Sequence, residues 1–476
     1  MKQFKADIVV ISGGTAGLTA ALTAAEGGAS VIVMEKSART GGTANHAGGI
    51  FAVESRLQRI KRYTLTKEEA FRMYMDFNHW RVDARLVKTF IDKSADTLDW
   101  LENMGVEFLD ISSHNAGFHH TWHVVNGPLP GPFPLGPASA MMDIIKKRAE
   151  KLGVEIFLKT TVKKIIKENG RITGVEAEDD SGEVVRAEAR AVITASGGFS
   201  GGTLPGLPGV VGTGTHMARE AGAATVEPAN LPKKGGAVNM WRFGYSIPAA
   251  FQQPNLVVNL HGERFMNEEI MATSPFSGNA IDRQKNHVAF IIFDEETRRC
   301  YAERGLDLAG GDFIHPLTKI PEFYEDMRQA LENGADNVFI ANSLEELAEK
   351  TGINRDGLLN TITEYNLACE TGRDKAFDKK PRYLRPVIQP KFYASKTNGD
   401  ARIWGGIKIN YKTEVLNDED DVIPGLYAAG MDAAINVFYD TYPFILPAVA
   451  MGFAVNSGRM AAESVLQYVK AGVKQI

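Results

Sequence analysis

The chain has 476 residues, more than one hydrophobic core usually organises, so two domains are expected, one interrupted by the other. Its 44 % hydrophobic and 23 % charged residues are globular proportions, and a formal charge of −5 argues against a general polyanion binder. The two cysteines, Cys300 and Cys369, exclude a disulfide framework, an iron–sulfur cluster and a CxxCH haem attachment, so any redox cofactor must be organic.

The N-terminus runs directly into a strand pattern, without the order of a signal peptide or a long apolar span, and the cytoplasm is the expected location. Asp7 to Ile11 is a short apolar run of the kind a strand buried on both faces shows. Gly13-Gly14-Thr15-Ala16-Gly17 opens a helix from Leu18 to about Glu26, and Ser30 to Met34 form a second strand that ends at Glu35. Lys67 to Met104 reads as helical, and His114 to Pro137 as a loop rich in His, Gly and Pro. A helix near Ser139 to Lys151 follows, then strands at Val154 to Leu158, Val162 to Glu168, Ile172 to Asp179 and Ala191 to Thr194. The last of these ends in Ala195-Ser196-Gly197-Gly198, before a helix from His216 to Ala223. Between about Asn230 and Asp400 the alternation of strands and helices gives way to Pro, Asn and aromatic residues, with helices near Leu344 to Lys350 and Asp356 to Glu370. The expected layout is therefore an α/β Rossmann-like domain over 1–229 and 401–476, interrupted by an α+β domain over 230–400. Leu426 to Ala428 returns to a strand before Gly430, and Val449 to Val469 is the final helix.

Strand, glycine turn, helix, strand and acid form a dinucleotide-binding unit in which each part has a task. Amides at Gly14 and Gly17 approach a pyrophosphate, the helix N-terminus offers positive potential, and Glu35 bonds ribose hydroxyls. Ser12 stands where the fingerprint has its first glycine, so the tight turn is made with a Cβ present. An ordinary glycine-rich turn is the plain alternative. Beyond Glu35, Thr40 to Gly49 is a run of small residues against which a flat ring can slide; a surface loop reads equally well.

These segments, with ITASGGF, IPGLYAAG and YPFILPAVAMGFAVNSGRMAAES, resemble the fumarate reductase and succinate dehydrogenase flavoprotein superfamily, which also holds 3-ketosteroid Δ1-dehydrogenases, urocanate reductases and tetrahydrodaidzein reductases. NLHGERFMNEE and the LEELAEKTGINRDGLLNTITEYN stretch match that superfamily's capping region. The resemblance implies noncovalent FAD. Its contacts would be Gly14, Thr15, Ala16, Gly17, Glu35, Lys36, Gly42, Thr43, Ala44, Ser196, Gly197, Gly430 and Met431. Amides near Leu446, Ala448 and Val449 would face the pyrimidine edge of the flavin. The respiratory members attach flavin through a histidine whose place is taken here by Gly42 or its neighbour; His46 falls elsewhere and either bonds flavin or substrate or orders its loop. Asp432 lies two positions after Gly430, whereas the family often has an acid directly after that glycine, so its role is open.

Departures from the family bear on substrate. The arginine that protonates fumarate follows the final glutamate of the G-x-R-F-x-N-E motif by four residues; that place, counted from Glu268, is Ala272. Arg264 and Glu268 then read as a buried ion pair. The histidine pair before a glycine pair is replaced by Arg402-Ile403-Trp404, and the asparagine–arginine step by Asp440-Thr441-Tyr442-Pro443. Tyr442-Pro443 resembles the ketosteroid dehydrogenases, whose tyrosine bonds a substrate carbonyl. Tyr442, Tyr439, Phe438, Phe444 and Trp404 suit a flat, uncharged ring substrate or form a plain aromatic core cluster.

The expected activity is hydride transfer between flavin N5 and an unsaturated or oxygenated ring, an isoflavonoid being one option. Tyr442, Arg402, Tyr439, Asp440 and His46 are the candidate catalytic groups. The alternatives are a 2-enoate or dicarboxylate reductase with relocated cations, a ketosteroid dehydrogenase, and a flavin-binding protein without chemistry of its own. The crowded histidines 114, 119, 120 and 123 suit a surface loop or proton relay better than a metal site. The electron donor is an unidentified partner protein, soluble flavin or transiently bound nicotinamide.

Overall fold

A computed structural model of the chain describes residues 1–114, 117–128, 136–199, 212–227, 245–308, 316–399 and 405–473. Two compact units emerge: Met1–Ser113, Phe118–Leu231 and Arg402–Ile476 form the first, and His114–Gly117 with Pro232–Ala401 the second.

The first unit is built on a mixed sheet of strands β1 (Lys2–Ile11), β2 (Val31–Met34), β6 (Glu155–Phe157), β9 (Val184–Thr194), β16 (Glu414–Leu416) and β17 (Val422–Ala428), ordered β16-β17-β9-β1-β2-β6. The four contacts from β17 to β6 are parallel, and a β7 (Thr160–Glu168)–β8 (Arg171–Asp179) hairpin pairs antiparallel to β9. Alternate residues explain the continuous apolar runs. Val9, Ile11, Ile32, Met34 and Val192 enter one core, while Ile8, Val10, Val31, Val33 and Ile193 enter the core on the opposite face. The first helix, Thr15–Glu26, packs against the last, Val449–Val473. Glycine sets that approach: a Cβ on Gly458 would lie 2.2 Å from Thr19 Oγ1 and 2.4 Å from the Ala16 carbonyl oxygen.

A second sheet of this unit joins β3 (Gly49–Phe51), β4 (Phe108–Ser112) and β5 (Trp122–Val125) in the order β3-β5-β4, and a small third one pairs β10 (Thr225–Val226) with β15 (Gly406–Ile407). The stretch read as a loop from His114 to Pro137 therefore contains a strand, whose four residues were too few to show an alternation. The helical stretch read as Lys67 to Met104 is two helices, Lys67–Phe77 and Ala84–Asn103, because Asn78 to Asp83 turn the chain between them.

The second unit holds a four-stranded antiparallel sheet, β11 (Leu256–Val258), β12 (Val288–Asp294), β14 (Phe392–Asn398) and β13 (Val338–Ala341), with apolar clusters on both faces. Arg264 is buried here and bonds Glu268 Oε1 and Oε2 at 2.7 Å each and Asp374 at 2.8 and 3.0 Å, while Lys379 Nζ lies 3.4 Å from Glu268. Each buried charge thus has an opposite partner, which makes the motif a structural tie. Among the described residues no helix is long and apolar enough to cross a membrane.

Candidate functional site

The strand-to-helix turn after β1 is shaped by Ser12, which adopts a left-handed backbone (φ 85°) that a glycine takes without strain. Its side chain offsets part of that cost: Oγ donates to Glu35 Oε2 (3.0 Å) and accepts from the Gly14 amide (3.3 Å). Glu35 is buried and also accepts from the Gly13 amide (2.7 Å) and the Ser37 amide (2.8 Å), so it braces the turn from the end of β2. The first helix opens at Gly14 with no side-chain cap and no acid in its first turn. A Cβ on Gly14 would meet nothing closer than 3.6 Å, whereas one on Gly17 would strike the Ser12 carbonyl oxygen at 1.9 Å. Gly17 is thus needed for packing, and Gly14 leaves open space before uncapped amides that carry partial positive charge. Such a cradle fits a pyrophosphate.

The small-residue loop is drawn onto this turn. Gly41 donates to the Gly13 carbonyl (2.8 Å) and pairs with Gly14 in an isolated parallel bridge, and Gly42 (φ 51°) faces the Gly14 α-carbon. Ala44 is buried, whereas Lys36, Thr43 and His46 are exposed. Asn45 Nδ2 donates to the Thr40 carbonyl (2.9 Å) and ties the loop across its base.

The end of β9 meets the segment after β17 through Asp432. This fully buried carboxylate accepts from Thr194 Oγ1 (2.6 Å), the Ser196 amide (2.7 Å), Ser196 Oγ (3.0 Å) and the Gly198 amide (2.8 Å). The role of Asp432 is open in the sequence; its bonds assign it to tying the end of β9 to the segment after β17. Gly197 and Gly198 have φ of 102° and 66°, and a Cβ on Gly198 would lie 2.3 Å from the Met431 carbonyl oxygen. Gly430 (φ 64°) donates to Ser457 Oγ (2.8 Å), and its missing Cβ lets Ala16 approach. The turn around Gly14, the end of β9 and Gly430 are therefore brought together.

Between Gly430 and the last helix the chain makes a tight aromatic turn. Phe438 stacks on Tyr442 with centroids 5.2 Å apart, and Phe444 meets Tyr442 edge-on at 4.9 Å. Tyr442 Oη accepts from the Ala450 amide in the first turn of the last helix (3.0 Å), and burial pushes the phenol up to about 12. Ala448 just before that helix has φ 69°, a costly conformation for a residue with a Cβ. Leu446 was expected to offer its amide to a ring, but that amide is already donated to the Pro443 carbonyl (2.9 Å) because the turn closes on itself.

Arg81, in the turn between the two helices of 67–103, escaped sequence reading because no motif marks it. Its guanidinium bonds Asp440 Oδ2 (2.8 Å) and lies over the Tyr439 ring, 4.7 Å from the centroid. Two neighbours fix this turn: Tyr74 Oη donates to the Val437 carbonyl (2.9 Å), and the Asp83 amide to that of Asn436 (2.9 Å). Arg402 and Trp404 lie outside the described residues. His46 is exposed on its loop. Of the crowded histidines, His120 stacks on Tyr63 (4.1 Å), and His123 is buried with Nε2 2.7 Å from Ser55 Oγ. Burial lowers His123 to about 4.

Comparison with known proteins agrees with this geometry. Residues 7–440 match the family described as FAD binding domain. The chain is 33 % identical to the vinyl phenol reductase of Lactiplantibacillus plantarum over 97 % of its own length and 96 % of that protein. It is 28 % identical to the fumarate reductase (cytochrome) of Shewanella frigidimarina, covering 89 % of this chain and 71 % of that one. Among solved structures, the 3-ketosteroid Δ1-dehydrogenase of Sterolibacterium denitrificans superposes with a TM-score of 0.74 at 19 % identity, over 97 % of this chain and 99 % of that one, which shows a shared fold. The chain belongs to the FAD binding domain family within the fumarate reductase and succinate dehydrogenase flavoprotein superfamily, and it is an FAD-dependent oxidoreductase.

Proposed function

We propose that this enzyme reduces a carbon–carbon double bond conjugated to a flat, uncharged hydroxylated aromatic ring, a vinyl phenol being the simplest case. The observation that carries the reading is the seat of Tyr442, between Phe438 and Phe444 and bonded to the Ala450 amide. Phe438 is fully buried behind Tyr442, and the half-buried rings of Tyr442 and Phe444 suit a planar ring. The similarity to a vinyl phenol reductase along nearly the whole of both chains supports the same substrate class.

FAD held at the Gly14 cradle and the Gly41–Gly42 loop would, when reduced, supply the hydride. Tyr442 supplies the proton. The Ala450 amide donates to this oxygen, and the helix N-terminus behind that amide stabilises the phenolate left when the proton departs. Solvent then restores the phenol. Arg81, a cation that reaches this turn, is already paired with Asp440, which argues against a carboxylate grip of the fumarate reductase kind.

The test is anaerobic: the flavin is reduced with dithionite and its reoxidation followed as vinyl phenol, an isoflavan-4-ol, a 3-ketosteroid enone or fumarate is added. Rapid reoxidation by vinyl phenol and its loss in Tyr442→Phe are expected. Reoxidation by fumarate alone, abolished by Arg402→Ala and untouched by Tyr442→Phe, would overturn the reading.

A further inference from the structure

We infer that Asp440 is a specificity determinant, a carboxylate whose task is to cancel the charge of Arg81 and so keep anionic alkenes out of the site. The inference rests on the proposed reduction of an uncharged ring substrate and names what enforces that choice.

Asp440 and Arg81 form a close ion pair beside Tyr439, two residues before the proposed proton donor. The side chains of Asp440 and Arg81 are 32 % and 54 % exposed, with Asp440 Oδ1 alone buried and without a hydrogen-bond partner, so the pair is not a core tie. An exposed pair of this sort adds little to stability. Its position, in contrast, is strongly fixed. His79 and Trp80, the two residues before Arg81, both hold left-handed backbones (φ 51° and 57°) that L side chains seldom adopt. On the other side, the Tyr74 and Asp83 bonds to the carbonyls of Val437 and Asn436 hold the segment that ends in Asp440. The strain and the bonds together deliver Arg81 to Asp440.

A lone guanidinium here would attract a carboxylate-bearing alkene. The pair presents no net charge and meets it with a carboxylate as well. Discrimination by an unfavourable group placed against the wrong partner is a common device. Asp440→Asn leaves Arg81 unpaired, keeps the side-chain size and inverts the electrostatic preference.

The experiment compares two substrates that share a ring and a double bond and differ by one carboxylate, 4-vinylphenol and 4-hydroxycinnamate. Each is mixed with anaerobic, dithionite-reduced enzyme in a single turnover, so the physiological donor is not needed. In each case one flavin hydride and one proton saturate the double bond and leave oxidised flavin. The readout is the ratio of second-order reoxidation constants. Wild type is expected to prefer the neutral alkene, and Asp440→Asn to shift the ratio roughly tenfold or more toward the carboxylate, the size one unit charge near a protein surface produces. Arg81→Gln leaves Asp440 uncompensated and is expected to shift the ratio the other way. Added salt is expected to shrink both shifts. A purely structural role would lower both constants alike and leave the ratio in place, which overturns the inference. If Asp440→Asn loses its flavin, Arg81→Gln decides: an unmoved ratio overturns the inference. A wild-type enzyme that reduces neither alkene overturns the proposed function itself, an outcome distinct from an unmoved ratio.

Discussion

Ser196 gives Asp432 two hydrogen bonds, one from its backbone amide at 2.7 Å and one from its hydroxyl at 3.0 Å, across 236 positions of sequence. Thr194 and Gly198 complete the set, so one buried carboxylate holds the end of β9 against the segment after β17. Asp432→Ala would strand four donors in a closed space, at a cost of about 1–3 kcal/mol for each that finds no new partner. The expected result is a protein whose thermal unfolding is markedly lowered and whose bound FAD per chain falls. Calorimetry and flavin absorbance after gel filtration check it. An unchanged melting temperature would show that the network adds little.

The contact between the first and last helices gives a second prediction. A methyl on Gly458 would sit 2.2 Å from Thr19 Oγ1 and 2.4 Å from a backbone oxygen that cannot move aside cheaply. Overpacking of this kind costs about 1–3 kcal/mol, and here it also pushes the last helix away from Ala16 at the mouth of the glycine turn. Gly458→Ala should therefore lose both stability and FAD affinity. Gly28→Ala is the control: φ is 86°, but a Cβ there meets nothing within 4 Å, so the cost is backbone strain of about 1 kcal/mol, and cofactor binding should survive.

These two cases show what was readable in the sequence. The strand, glycine turn, helix and acid from Asp7 to Glu35 were legible because each signal is local, and the buried runs of β1, β2 and β9 declare themselves by composition. The role of Asp432 was not, since nothing local says that a residue after β17 will meet Ser196. Arg81 was missed for the same reason: the turn that carries it looks like an ordinary break between helices, and its partner Asp440 lies 359 positions away. Residues 122–125 look like loop in the sequence because their pairing comes from β3 and β4 on either side. Family resemblance singles out Tyr442, while its bond to Ala450 depends on a turn closing over Pro443.

His123 makes stability depend on pH. It is fully buried on β5, with Nδ1 3.1 Å from the Thr121 carbonyl and Nε2 2.7 Å from Ser55 Oγ, and burial holds it at about 4 against an ordinary 6.5. The folded state thus takes up a proton later than the unfolded chain. The neutral ring's contribution is complete above pH 6.5 and is lost as pH falls from there toward 4, by about 3 kcal/mol in all. Urea unfolding at pH 7.5, 6, 5 and 4 measures this decline, which should be clearly shallower in His123→Gln. Equal slopes would assign the decline to other groups.

Tyr442→Phe separates chemistry from structure. The hydroxyl lies in an aromatic stack that a phenylalanine ring preserves, so FAD content should remain near one per chain and melting should change little. What disappears is a proton donor, and loss of a general acid slows the step it serves by about 10²–10⁴-fold. The proposed role therefore predicts a fall in the reoxidation rate constant at saturating vinyl phenol, with a much smaller change in the concentration giving half-maximal rate. The pH dependence adds a second check. Burial raises this phenol from 10 to about 12, so its neutral form is favoured in the folded state. Its contribution to stability is complete below pH 10 and is lost as pH rises toward 12, and the wild-type rate should stay level through pH 10 as far as this group controls it. A rate that falls in wild type between pH 8 and 10 and falls identically in Tyr442→Phe would place the acid elsewhere.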